Sequence, residues 1–77
     1  MIFLHHYLFK EGKIQDAVLQ SLEKGIGLPE RARIIGTGKA SDGIRGFLIV
    51  EADKLDDSWA LQWWEVLDIE ITPLYAG

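Results

Sequence analysis

His5 and His6 stand side by side near the start of the chain, with Tyr7 directly after them. An imidazole that titrates near neutrality beside a phenol can act as a general base, or as a hydrogen-bond partner for an oxygen-rich ligand. If the pair lies in a strand it cannot hold one metal ion, because consecutive strand residues point to opposite faces. Glu51 and Glu70 form a second candidate group. Placed in one cavity, two carboxylates would raise the pKa of at least one of them and supply an acid and a base, or a site for a hard cation. The ordinary alternative is charge at a sheet rim, with Arg33 or Arg45 as the partner. The third group, Trp59, Trp63 and Trp64, is the kind of aromatic material that lines pockets for planar ligands. Trp59 and Trp63 share one face of a helix and suit core anchors, whereas Trp64 sits at the edge of that face, where a ligand or second subunit can reach it.

Other patterns carry less. Gly36-Thr37-Gly38-Lys39-Ala40-Ser41 has the residue types of a phosphate-binding loop without its spacing, since the first glycine is too close to the Gly-Lys pair and a turn, not a helix, follows. No Ser-His-Asp arrangement or metal motif has usable spacing. The chain has no cysteine, so thiol catalysis, thiolate metal sites and disulfides are excluded. Neither a metal nor a cofactor is expected.

The elements that must position these groups follow from periodicity. Ile2 to Phe9 is an apolar run of strand length. From Lys13 to Lys24, Ile14, Ala17, Val18 and Leu22 fall at helical spacing, with Gly25 where a left-handed cap belongs. Ala32 to Gly38 reads as a second strand and Gly46 to Glu51 as a third. Asp42-Gly43 between them predicts a hairpin and antiparallel pairing. A second helix is predicted with Asp53, Asp56 or Asp57 as its cap and Leu55, Trp59, Ala60, Trp63, Val66 and Leu67 on one face. Ile69 and Ile71 alternate with Glu70 and Thr72 as a last strand, ended by Pro73.

The order β-α-β-β-α-β is the ferredoxin-like arrangement: an α+β fold in which two helices cover one face of a four-stranded antiparallel sheet. Residues 1–77 are expected to make one such domain. In the first strand, alternation sets Phe3, His5, Tyr7 and Phe9 against Ile2, Leu4, His6 and Leu8. The more uniformly aliphatic second set suits the helix side, which would turn His5 toward the open face. Glu51 falls with Phe47 and Ile49, and Glu70 opposite to Ile69 and Ile71, so both carboxylates could reach the same space.

Composition narrows the function classes. A chain of 77 residues buries only about 60% of its unfolded surface, so a partner subunit would help it. Apolar residues on both faces of the sheet point the same way: two sheets packed face to face would bury both open patches. The net charge is −4, with the basic residues scattered rather than striped, which argues against nucleic acid. No stretch approaches the roughly 20 apolar residues of a membrane span, and Met1 to Phe9 lacks the features of a secretory signal. A cytoplasmic location is the default expectation.

The segment Gly46-Phe47-Leu48-Ile49-Val50-Glu51-Ala52-Asp53, then Trp59, Trp63 or Trp64, Leu67-Asp68 and the ending Ile69-Glu70-Ile71-Thr72-Pro73, resembles an uncharacterised bacterial family of small proteins, a domain of unknown function assigned to the dimeric α/β-barrel superfamily. The resemblance covers almost the whole chain and is clearest over residues 43 to 73. It implies a homodimer whose sheets close a barrel around a cavity. Other members of the superfamily include cofactor-free monooxygenases, muconolactone isomerases, haem-handling enzymes and ligand-sensing domains, but none of their catalytic motifs can be placed here residue by residue. The expectation is therefore a homodimeric domain that binds or senses a small organic ligand between its sheets, with His5, Tyr7, Glu51, Glu70 and Trp64 as candidate contacts. One alternative is a cofactor-independent isomerase or monooxygenase with His5 as general base and Tyr7 or Glu51 as orienting groups. Another is a structural assembly subunit with a solid barrel.

Overall fold

The apolar run near the start forms β1, Ile2–Phe9, which lies inside a four-stranded sheet. The computed structural model describes residues 1–54 and 58–74. After β1 come α1, Ile14–Lys24, then β2, Arg33–Lys39, and β3, Arg45–Glu51. A 3-10 segment, Ser58–Trp63, leads to β4, Leu67–Leu74. The sheet order is β2-β3-β1-β4 and every neighbouring pair is antiparallel. This is the α+β arrangement that the element order predicts.

The hairpin between β2 and β3 is built as Asp42-Gly43 implies. Gly43 takes φ 75°, a conformation that costs glycine nothing and most other residues a good deal. Asp42 accepts from the Ile44 N–H at 3.0 Å and from Arg45 Nε at 2.9 Å. These bonds hold its carboxyl below the usual carboxylate range, the Ile44 bond first. Because the turn fixes Lys39 opposite Gly46, the register of the whole β2–β3 pair follows, with one irregularity between Ile34 and Gly36.

Two elements depart from the sequence expectation. The second helical segment is a six-residue 3-10 turn rather than an α-helix, a tight form used in short pieces. Leu55, Asp56 and Asp57, the first face residue and two of the candidate caps, lie outside the described residues. β4 begins at Leu67 rather than Ile69 and runs through Pro73. It is an edge strand, where a missing N–H leaves no ladder bond unmade.

Antiparallel register assigns every side chain to a face. Phe3, His5, Tyr7 and Phe9 share theirs with Val50, Leu48 and Gly46 of β3 and with Pro73, Ile71, Ile69 and Leu67 of β4. This is the side on which the helical layer sits, since His5 packs on Trp59. The expected sense of β1 is therefore reversed: Ile2, Leu4, His6 and Leu8 occupy the open face. The physical reason is the thinness of the covering layer. One helix and a short 3-10 turn leave depth beneath them that large rings reach across further than aliphatic chains would.

The core is small. Phe3, Ala17, Val50, Trp63 and Val66 are the buried hydrophobic residues among those described. Ala17, Trp63 and Val66 form one cluster with Phe9, Trp59, Leu67 and Ile69 packed against it. Ala17 is the one buried residue of α1; Ile14, Val18 and Leu22, expected on its inner face, stay exposed. The helix is tied down at its end instead. Gln20 Nε2 donates to the Gln62 carbonyl at 2.5 Å, and both Gln62 Nε2 and Trp63 Nε1 donate to the Ile26 carbonyl, at 2.7 and 3.0 Å. No helix among the described residues is long and apolar enough to cross a membrane.

Candidate functional site

Since α1 stands off the sheet, clefts remain beneath the helical layer. One, of about 340 Å³, runs between β1, β4 and α1 and is walled by Tyr7, Phe9, Trp59, Trp63, Leu48 and Ile69. A second, of about 460 Å³, opens at the other end of β1 beside Phe3, Ala32, Val50 and Lys54. His5 and Trp59 line both, and so form the partition between them.

His5 is the unusual residue of this layer. It is 3% exposed, and among the described residues neither ring nitrogen has a hydrogen-bond partner. Its ring meets Trp59 at 5.2 Å between centroids, tilted by 48°. Burial pushes its pKa below the ordinary histidine value; the Phe3 backbone beside the ring offsets this in part, without reaching bonding geometry at either nitrogen. A neutral imidazole offers one donor and one acceptor. Each buried polar group left unpaired costs about 1–3 kcal/mol, so a residue of this kind has to be accounted for.

Tyr7 occupies the same cleft, held edge-on to Phe9 at 5.6 Å. The ring lies over Gly46, its cross-strand partner: a Cβ placed there would sit 2.5 Å from Tyr7 Oη and 2.6 Å from the Gly38 carbonyl oxygen. Gly46 is thus the gap into which the phenol folds. Gly46→Ala should displace the ring or open the β2–β3 pair, costing about 1–3 kcal/mol as overpacking does. A urea melt of the variant checks this, and an unchanged midpoint would contradict the reading of Gly46 as a space-maker.

The other candidates lie elsewhere. Glu51 and Glu70 are both on the open face, Glu51 opposite Ile2 and Glu70 opposite His6. Glu51 is engaged, however: its Oε1 accepts from Arg33 Nη2 at 2.7 Å and Nε at 2.8 Å. That is the rim pairing weighed against a catalytic role. Trp64 is 69% exposed, at a shallow groove formed with Leu67, Ile69 and Ile71, and Lys10 Nζ stands 5.9 Å from its ring centre. His5 and Tyr7 come together; Glu51, Glu70 and Trp64 join neither them nor one another. Among the described residues no three His, Asp or Glu side chains are grouped to hold a metal. Gly36 to Lys39, the phosphate-like stretch, lies within β2 with a hairpin after it.

What the cleft can do chemically follows from this census. Glu30 and Asp53 line the neighbouring cleft that His5 also borders, but among the described residues no carboxylate bonds to His5 to orient the ring for proton transfer. The arrangement is that of an aromatic slot with one hydrogen-bonding group at depth.

The family model for a domain of unknown function, DUF3303, matches residues 1–76. The chain belongs to that family. No curated protein and no solved structure gives a significant match. For this DUF3303 chain, then, the geometry itself carries the functional reading.

Sequence reasoning did not assign Lys39 or Ile26 to the DUF3303 cleft, yet both line it. Lys39 was legible in part. The Asp-Gly turn pairs it with Gly46, and Gly46 shares a face with Tyr7 once β3 is known to lie beside β1. Nothing local to Ile26 marks it, because its place depends on where Gln62 and Trp63 pull the loop.

Proposed function

We propose that this protein is a small-molecule binding module whose ligand enters the cleft between the sheet and α1. The observation that carries this is the buried, unpartnered His5 at the inner end of an aromatic slot. Ligand sites are concave, mostly apolar and furnished with few polar groups, and a bound hydroxyl or carbonyl would pair with an imidazole nitrogen whose desolvation the fold already bears. Closure of α1 on a ligand would also cover Val18, which lines the cleft and is otherwise exposed. The open space under the helices leaves room for a ligand on this face of the sheet. Screening single-ring and fused-ring aromatic compounds by thermal shift tests the reading. Hits that raise the melting temperature of the wild type and leave His5→Leu unmoved support it; a screen in which both proteins respond alike contradicts it.

The open face is proposed as the contact of a homodimer. Leu8, Phe47 and Leu74 are exposed on it, beside Leu4 and Ile49, which pair directly across β1 and β3. A contiguous apolar patch of this kind marks an interface, and a second copy presents the same patch. Native mass spectrometry at micromolar concentration should give a dimer, and Phe47→Asp should give a folded monomer. A wild-type monomer would overturn the assembly and leave the cleft as it is.

A further inference from the structure

The cleft carries a charge pattern that the rest of the chain does not. The sequence holds twelve Asp and Glu against eight Lys and Arg. Yet the described residues around the slot include Lys39 and not one acidic side chain. Lys39 makes no ion pair among the described residues, as is also true of Lys24 and Lys54, whereas Lys10, Lys13, Arg31, Arg33 and Arg45 all do; of the three, Lys39 alone lines this cleft. It also stands in a defined place: Tyr7, Gly46 and Lys39 form one row across β1, β3 and β2. Because Gly46 has no side chain, the Tyr7 hydroxyl lies over it, on the side of the sheet where Lys39 lies. A phenol and an ammonium thus flank the same end of the slot, both able to donate to an anion.

From this we infer that the site selects small aromatic monoanions, with a carboxylate or similar oxyanion held by Lys39 and Tyr7 and a neutral hydroxyl or carbonyl held by His5. The inference rests on the binding function proposed above and adds the class of ligand. The spacing suits a compact molecule. His5 and Lys39 are two strand spacings of about 4.8 Å and one two-residue step of about 6.6 Å apart. Both side chains line the same cleft, so a single ring with polar groups at both ends is the size of ligand proposed to bridge them. The aromatic walls hold the ring between. Two charge-assisted bonds at one end, against one neutral bond at the other, give the site its polarity.

The test uses 4-hydroxybenzoate and its neutral isostere 4-hydroxybenzamide, each titrated at pH 7.5 into the wild type, Lys39→Met and Tyr7→Phe, with tryptophan fluorescence as the readout. Lys39 is exposed and methionine keeps most of its apolar stem, so the fold is retained. The wild type should prefer the carboxylate by about tenfold or more, the worth of one hydrogen bond to a charged group. Lys39→Met should abolish that preference by weakening the carboxylate far more than the amide, and Tyr7→Phe should reduce it by a few fold. Equal affinity of the wild type for both compounds, or a preference that survives in Lys39→Met, overturns the charge selection alone. Binding of neither compound overturns the selection and the site together.

Discussion

Replacing His5 by leucine is expected to stabilise the fold and abolish binding at once. The imidazole is buried and neither nitrogen has a partner among the described residues, and an unpaired buried polar group costs about 1–3 kcal/mol. Leucine has a similar bulk, keeps the contact with Trp59 and brings no polar atom. Urea denaturation should therefore show a midpoint shift worth about 1–3 kcal/mol in favour of the variant at pH 7.5. Stability sacrificed at one residue is a familiar mark of a functional site. The pH dependence has a definite sign. Above the ordinary histidine value, folded and unfolded chains both carry His5 neutral. As the pH falls through that value the unfolded chain takes up a proton that the folded chain resists, because burial holds the folded pKa down. The unfolded state then binds more protons, and stability falls with falling pH until the depressed folded pKa is reached. The wild type should lose stability between about pH 7.5 and pH 5, and His5→Leu should lose much less. A leucine variant less stable than the wild type at pH 7.5 would make His5 an ordinary core residue.

Trp63→Ala should be the most destabilising single change in the helical layer. Trp63 is 5% exposed, sits in one cluster with Ala17 and Val66 and donates to the Ile26 carbonyl. Through that cluster and that bond it connects α1, the following loop and the sheet. Truncating a buried tryptophan costs about 3–5 kcal/mol, which for a chain of this size is a large part of a total of about 4–12 kcal/mol. Circular dichroism with urea should show a protein unfolded or close to it. Trp64→Ala, one residue on but 69% exposed, should fall within about 0.5 kcal/mol of wild type. Equal costs at the two positions would contradict the packing described here.

The sheet was largely legible in the sequence because its signals are local. The apolar run Ile2–Phe9 and the Asp-Gly turn each specify an element without reference to the rest of the chain. The spacing of apolar residues around Trp59 and Trp63 predicts a helix, and a short 3-10 turn satisfies the same spacing when both tryptophans face inward. The face of β1 was beyond reach of pattern alone. Phe3-His5-Tyr7-Phe9 and Ile2-Leu4-His6-Leu8 are both apolar sets with one histidine each, so alternation separates them without saying which is covered. Deciding that needs the depth under the helices, a tertiary quantity. The same reversal explains the outcome at the site: His5 and Tyr7 stay together because they are two apart on one strand, while Glu51 and Glu70 fall on the other face.

The central claim, that the slot under α1 is a ligand site with His5 at its inner end, is tested most directly by methyl NMR. Methyl groups report on one face of a sheet, whereas strand amides report on both. Adding 4-hydroxybenzoate to the labelled protein should shift the methyls of Val18, Ile26, Leu48 and Ile69, which line the cleft, and leave those of Leu4 and Ile49 on the open face in place. Shifts confined to Leu4 and Ile49 would move the site to the open face, and an unperturbed spectrum would contradict the binding function.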